Sequence, residues 1–140
     1  MQLTVDSLRK SGGFAGGPVK REVEWQHNGE TVSADVWIRP MSYHTAVNDL
    51  SAYQSGADII AHRLALCVCH EDGSPVFRVS DITGVNDDGT PVMIKRDGGI
   101  EEQGPLNKEL TDALMVLVSE VSGLGKTKPS SAGKTSSGTS

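Results

Sequence analysis

The sequence predicts an α+β fold, in which a small amino-terminal β-hairpin or sheet packs with a bundle of about three to four helices. Apolar and polar residues alternate with period two over residues 19–38, which is typical of strands. Later apolar stripes repeat at spacings of three and four, which is typical of helices. The chain has 140 residues, 36% of them hydrophobic, and this is enough for one domain with a core of its own.

The first segment, residues 1–17, is predicted to form a flexible arm. It ends in SGGFAGG, where four closely spaced glycines leave the backbone many conformations. No packed element is expected in this glycine-rich stretch.

A β-hairpin is predicted next. Asn28-Gly29 is the turn, because both residues tolerate the positive φ that a tight two-residue turn requires. One face of the two strands is expected to carry Val19, Arg21, Val23 and Trp25 together with Val32, Ala34, Val36 and Ile38. Arg39-Pro40 ends the second strand, because proline cannot donate to a β-ladder.

The middle of the chain predicts two helices, or one helix broken at Gly56. Ser42 is the expected cap of the first part. Ala46, Val47 and Leu50 fall on one face of this part, and Ile59, Ile60, Leu64, Cys67 and Val68 follow helical spacing in the second.

Two further stretches follow the predicted helices, residues 70–75 and the polar, glycine-rich residues 86–104. Residues 70–75 read as a turn, and VFRV after them fits either a strand or the lead-in to a helix. Ser80-Asp81 is the candidate cap of a short helix, and an exposed hairpin or loop is expected around Val92, Met93 and Ile94.

The clearest predicted helix comes last, opening at Gly104-Pro105 and stopping at Gly123. Its apolar stripe is wider than one small core requires, and we expect the surplus to form a protein-binding surface that shares its residues with the core. The candidate binding residues are Leu110, Leu114, Met115, Leu117, Val118 and Val121.

Residues 126–140 are predicted to be a disordered linker or tail, because they are almost entirely polar and ordering them would bury no apolar surface. They include Gly133-Lys134-Thr135, and Gly125-Lys126-Thr127 overlaps their start. Neither copy fits a P-loop, which needs a glycine five residues earlier and a following helix. Those positions hold Glu120 and Lys128.

Composition and motifs argue against several classes of function. A net charge of −5 and few aromatic residues disfavour nucleic-acid binding, and no stretch approaches the apolar length of a membrane span. Cys67 and Cys69 are expected to be reduced and buried, not metal ligands, which indicates a cytoplasmic protein without a cofactor. No motif predicts an enzyme, and a pocket lined by His44, His62 or Cys69 would be the sign of one.

The segment GPLNKELTDALMVLVSEVSGLGK, preceded by FRVSDITGVN, resembles the carboxyl-terminal region of tail assembly chaperones from long-tailed bacteriophages. VWIRPMSY looks like the exit of the amino-terminal strand in that family. The resemblance covers roughly residues 18–126, so residues 18–125 are interpreted as a single α+β chaperone domain.

This resemblance implies binding without chemistry. The short product of such a gene is expected to bind the tape-measure protein and keep it soluble. A longer product, made by ribosomal frameshifting, would recruit the major tail protein. The resemblance places the frameshift at the codons of Gly133 and Lys134, and it also implies self-association, action in the host cytoplasm and absence from the mature virion. The alternative is a structural virion protein, either a tail-tube or a head-tail joining component.

Overall fold

The computed structural model describes residues 2–123, which form five helices and two small antiparallel sheets. This confirms the predicted α+β class. The elements in chain order are α1 Val5–Ser11, β1 Val19–His27, β2 Glu30–Ile38, α2 Tyr43–Gln54, α3 Ile59–Cys67, β3 Val68–Cys69, α4 Val79–Thr83, β4 Met93–Arg96, β5 Gly99–Glu102 and α5 Lys108–Val121. The predicted helices of the bundle correspond to α2–α5, and α1 is additional.

The predicted hairpin is confirmed. Strands β1 and β2 pair over nine positions around Asn28 and Gly29, whose φ angles of 52° and 81° give a two-residue turn. Val23 lies opposite Ala34, and Val23, Val36 and Ile38 are buried on the expected face. The third strand, β3, pairs with the last two residues of β2 and completes the sheet order β1-β2-β3.

The predicted arm contains a helix, α1, that the sequence analysis missed. Thr4 and Ser7 form a reciprocal capping box at its start, and a salt bridge of 3.1 Å joins Asp6 to Lys10 one turn apart. None of its residues is buried. The helix therefore rests on local contacts, which apolar periodicity does not reveal.

The middle region is two helices, since the chain between α2 and α3 turns at Gly56 with a φ of 75°. Helix α3 ends at Cys67, and the backbone then becomes extended as β3. Val68, which the sequence assigned to helical spacing, is therefore in a strand. The backbone N–H of Arg39, just after β2, donates to the Cys67 carbonyl at 2.7 Å and ties the end of α3 to the sheet.

The short helix expected near Ser80-Asp81 is present as α4, but its cap is Arg78. The Asp81 carboxylate accepts the Arg78 backbone N–H at 2.9 Å, so Asp81 lies inside the first turn. VFRV is the lead-in to this helix and not a strand. The exposed hairpin expected after it is formed by β4 and β5.

The last helix, α5, begins at Lys108 and not at Gly104-Pro105. Asn107 is its cap and accepts the Leu110 N–H at 2.9 Å. Gly104 and Pro105 instead pass closely over the end of α4, where a side chain on Gly84 would meet the Gly104 carbonyl carbon at 2.6 Å. The prediction that the helix stops at Gly123 is confirmed, because Gly123 follows the helix with a φ of 76°.

The core lies where α5 and α3 cover the inner face of the three-stranded sheet. Its fully buried side chains include Ile38, Leu64, Cys67, Val68, Leu114 and Val118. The predicted tail, residues 126–140, and the end of the predicted domain at residue 125 lie outside the described residues.

Candidate protein-binding surfaces

The six candidate residues of α5 lie at the core and its margin. Leu114 and Val118 are 2% and 1% exposed, so they belong to the core itself. The other four, Leu110, Met115, Leu117 and Val121, are half-buried and pack against the core. The binding role of these residues stays a prediction. The four half-buried residues keep part of their surface, and Val116 beside them is 54% exposed.

The larger exposed apolar surface is on helix α2. Tyr43, Val47, Leu50 and Tyr53 follow one another at three- and four-residue spacing, and they are 85%, 48%, 57% and 71% exposed. We call these four residues the α2 face. The spacing puts them within about one third of the helix circumference. The sequence predicted that Val47 and Leu50 share one face of a helix, but it did not predict that this face is exposed.

The opposite side of α2 is what attaches the helix to the protein. Thr45 and Ala52 are its buried residues, and the helix packs against α3. The guanidinium of Arg63 in α3 donates to the Asp49 carboxylate at 2.6 Å. Asp49, the single acidic residue of α2, is thus turned toward Arg63, and no carboxylate or ammonium lies on the α2 face.

A second apolar surface is a groove of about 300 Å³ beside strand β2. Four consecutive residues of β2, from Ala34 to Trp37, line it together with Leu110 and Leu114 of α5. The remaining lining comes from Val23, Trp25, Val68, Cys69, His70, Val76 and Phe77. We call this the β2 groove. Two of the candidate residues predicted from the sequence therefore reach a surface depression, although Leu114 is itself almost fully covered.

The two cysteines are buried, free thiols. Burial raises the pKa of Cys67 to about 11, and the nearby Asp49 charge adds to this effect. Burial also raises the pKa of Cys69, whose thiol is 3.5 Å from the Trp37 carbonyl oxygen. Thiols with raised pKa values are poor nucleophiles at neutral pH, because little thiolate is present.

The side chains named as signs of an enzyme lie in different places. Cys69 lines the β2 groove, His62 lines a separate depression with Asp87 and Asp88, and His44 is exposed on α2. The Cys69 thiol lies close to the Trp37 backbone carbonyl, and the neighbouring His70 also lines the β2 groove. Within residues 2–123, no three His, Cys, Asp or Glu side chains are grouped as a metal site would require.

An uncharged apolar helix face and an apolar groove beside an open strand are surfaces on which other polypeptides dock. The fold and these surfaces are typical of a protein-binding domain. A family model described as phage tail assembly chaperone, TAC, matches residues 6–122, so the chain belongs to this bacteriophage family. No curated protein and no solved structure matches the chain. None of the helices within the described part of the chain is long and apolar enough to cross a membrane.

Proposed function

We propose that this chaperone acts without catalysis, binds the tape-measure protein, keeps it soluble and helps to recruit tail-tube subunits during tail assembly. Membership of the tail assembly chaperone family supports a role with tail proteins. The work is proposed to take place in the host cytoplasm, and the chaperone is proposed to be absent from the mature virion.

The observation that carries the proposal is the α2 face. Two tyrosines and two aliphatic side chains stand in solvent on one helix, with none of the charged residues that normally cover such a surface. Exposed apolar patches of this kind mark interaction sites in soluble proteins. Tyrosine is also enriched in protein interfaces, because it offers apolar area and a hydroxyl at low cost in conformational entropy.

The chemistry of this face suits an amphipathic helical partner. A long helical tape-measure protein exposes apolar stripes until the tail tube surrounds it, and two such stripes can bury each other. Because the α2 face lacks charge, contact with an apolar stripe leaves no unpaired ion in the interface. The same property makes the face compatible with a second copy of itself, and self-association of the chaperone along its partner is part of the proposal.

Recruitment of tail-tube subunits is assigned to a longer product. The proposed frameshift at the codons of Gly133 and Lys134 falls outside the described residues. Sequencing these codons tests it, and a gene without a slippery run at this point would remove the longer product from the proposal.

Co-expression with the tape-measure protein tests the α2 face. The variant Leu50→Asp places a charge in the middle of the face, and we expect the tape-measure protein to move from the soluble fraction to the pellet. Ile100→Asp is the matched control, because Ile100 is a 70% exposed apolar residue of the β4–β5 hairpin. This control should keep the tape-measure protein soluble.

Two outcomes would contradict the proposal. Circular dichroism should show that both variants stay folded, and a folded Leu50→Asp chaperone that still solubilises its partner would exclude the α2 face. Mass spectrometry of purified virions addresses the alternative function. Stoichiometric amounts of the protein in finished particles would favour a structural tail-tube or head-tail joining component.

A further inference from the structure

One edge of the three-stranded sheet is left open next to the β2 groove. Strand β3 pairs with Trp37 and Ile38, and within residues 2–123 no strand pairs with that side of β2 from Glu30 to Val36. Exposed edges are places where another chain can add as a strand, and proteins usually cover or protect them.

The hairpin register shows which backbone groups point to this open edge. His27 and Glu30 close a two-residue turn and form a hydrogen-bonded pair, so every second residue of β2 from Glu30 bonds to β1. The intervening residues Thr31, Ser33 and Asp35 point their N–H and C=O groups away from β1. None of these backbone groups has a hydrogen-bond partner among the described residues.

The opposite edge of the sheet supports the same register, because its backbone groups point outward at the expected residues. By the same register, Gln26 of β1 points its N–H group outward, and this group donates to the Glu109 carboxylate of α5 at 2.7 Å. The free edge of β1 is therefore partly capped by a side chain from α5, the helix that packs against this strand. In the described part of the chain, no side chain caps the outward backbone groups of β2 in this way.

The β2 groove lies along this open edge. Four consecutive residues of β2 line it, so the groove follows the strand edge itself and not only one face of the sheet. Its lining also contains the apolar residues Val23, Trp25, Phe77 and Leu110. A chain that adds to the edge would therefore place every second side chain against an apolar surface.

We infer that the open edge of β2 binds an extended segment of a partner chain, by strand addition, with large apolar residues at alternate positions entering the β2 groove. The Ser33 and Asp35 backbone groups supply the hydrogen bonds, and the groove supplies the preference for apolar side chains. The occupant is proposed to be an extended segment of a tail protein, and in this respect the inference rests on the proposed function.

A synthetic peptide tests the inference without the natural partner. The probe has ten residues, with Val and Leu alternating with Ser and Lys, and its binding is followed by the fluorescence of Trp25 and Trp37 at the groove. We expect saturable binding to the full chain. The same peptide with N-methyl groups on the alternate amides of one strand edge should bind at least tenfold more weakly, because it cannot form the ladder.

Proline variants distinguish the two edges of the sheet. Ser33→Pro removes an outward N–H of β2 and no bond to β1, which is the position where a strand tolerates proline. Glu24→Pro is the matched control, because Glu24 lies opposite Ser33 and points its N–H to the other edge. We expect Ser33→Pro to weaken peptide binding at least tenfold and Glu24→Pro to leave it within about twofold. Should Ser33→Pro unfold, Ser33 N-methylated by chemical synthesis replaces it.

Hydrogen exchange gives an independent measurement on the unaltered protein. The amides of Ser33 and Asp35 should exchange rapidly in the free chain and slow at least tenfold with the peptide bound. Absence of peptide binding, equal binding of the N-methylated peptide, or unchanged exchange at these amides would overturn the inference. A different result would separate the two proposals. If Leu50→Asp no longer solubilises the tape-measure protein but the peptide neither binds nor slows exchange, the strand-addition site is excluded and the proposed function is not.

Discussion

Helices α2 and α5 both carry an apolar stripe, yet the protein uses the two stripes in opposite ways. The stripe of α5 covers the sheet, with Leu114 and Val118 almost fully buried. The stripe of α2 is exposed, and the helix is attached through Thr45, Ala52 and the Asp49–Arg63 ion pair. An apolar stripe therefore shows that a helix has something to bury, but not whether the partner is in the same chain.

The largest expected difference between the two helices is in stability. Leu114→Ala removes a side chain that is 2% exposed and leaves a cavity between α5 and the sheet. We expect the free energy of unfolding to fall by about 3 kcal/mol, as for buried leucines elsewhere. Urea denaturation followed by circular dichroism measures this change. A loss below about 1 kcal/mol would mean that α5 is not the main cover of the core.

The pH dependence of stability probes the same core at the end of α3. The folded state holds the Cys67 proton up to a pKa of about 11, whereas an unfolded thiol releases it near 9.0. The unfolded state is thus favoured as the pH rises through this window, and we expect a loss of roughly 1–2 kcal/mol between pH 9 and pH 11. Urea titrations of the wild type and of Cys67→Ala measure it. The variant should show a shallower fall over the same window, and parallel curves would contradict the assignment to Cys67.

The smallest expected effect is at the α2 face. Leu50→Ala removes a side chain that is 57% exposed and should change the free energy of unfolding by less than about 0.5 kcal/mol. The same urea measurement used for Leu114→Ala gives the direct comparison. A loss close to that of Leu114→Ala would show that the α2 face is covered by the protein itself, and the contrast between the two helices would disappear.

Several parts of the fold were predictable because their causes are local. Period-two alternation and Asn28-Gly29 define the first hairpin, and Gly56 separates α2 from α3. The elements that the sequence missed or misplaced depend on other contacts. Helix α1 rests on a capping box, and the start of α5 depends on the Asn107 cap and on the passage of Gly104 over Gly84.

The candidate surfaces were harder to predict from the sequence than the fold. The pattern brought Val47 and Leu50 to one face of a helix, but only the packing of Thr45 and Ala52 on the other side shows that this face is outside. The surplus apolar surface was expected on α5, which packs on the sheet and α3 through Leu114 and Val118 but keeps Val116 54% exposed. Tyr43 and Tyr53, at the two ends of the stripe, could have indicated an exposed face, since tyrosine is common where apolar surface meets water.

The sequence by itself determined the α+β class, the first hairpin, the chief helices and the resemblance to phage tail assembly chaperones, because periodicity, turn residues and motif order are properties of neighbouring residues. Only the tertiary structure decided which apolar stripe is core and which is surface, and which edge of the sheet stays open. Burial and strand pairing depend on elements far apart in the chain, such as Glu109 of α5 at the edge of β1 and the two-residue β3 beside β2. No local pattern specifies these contacts.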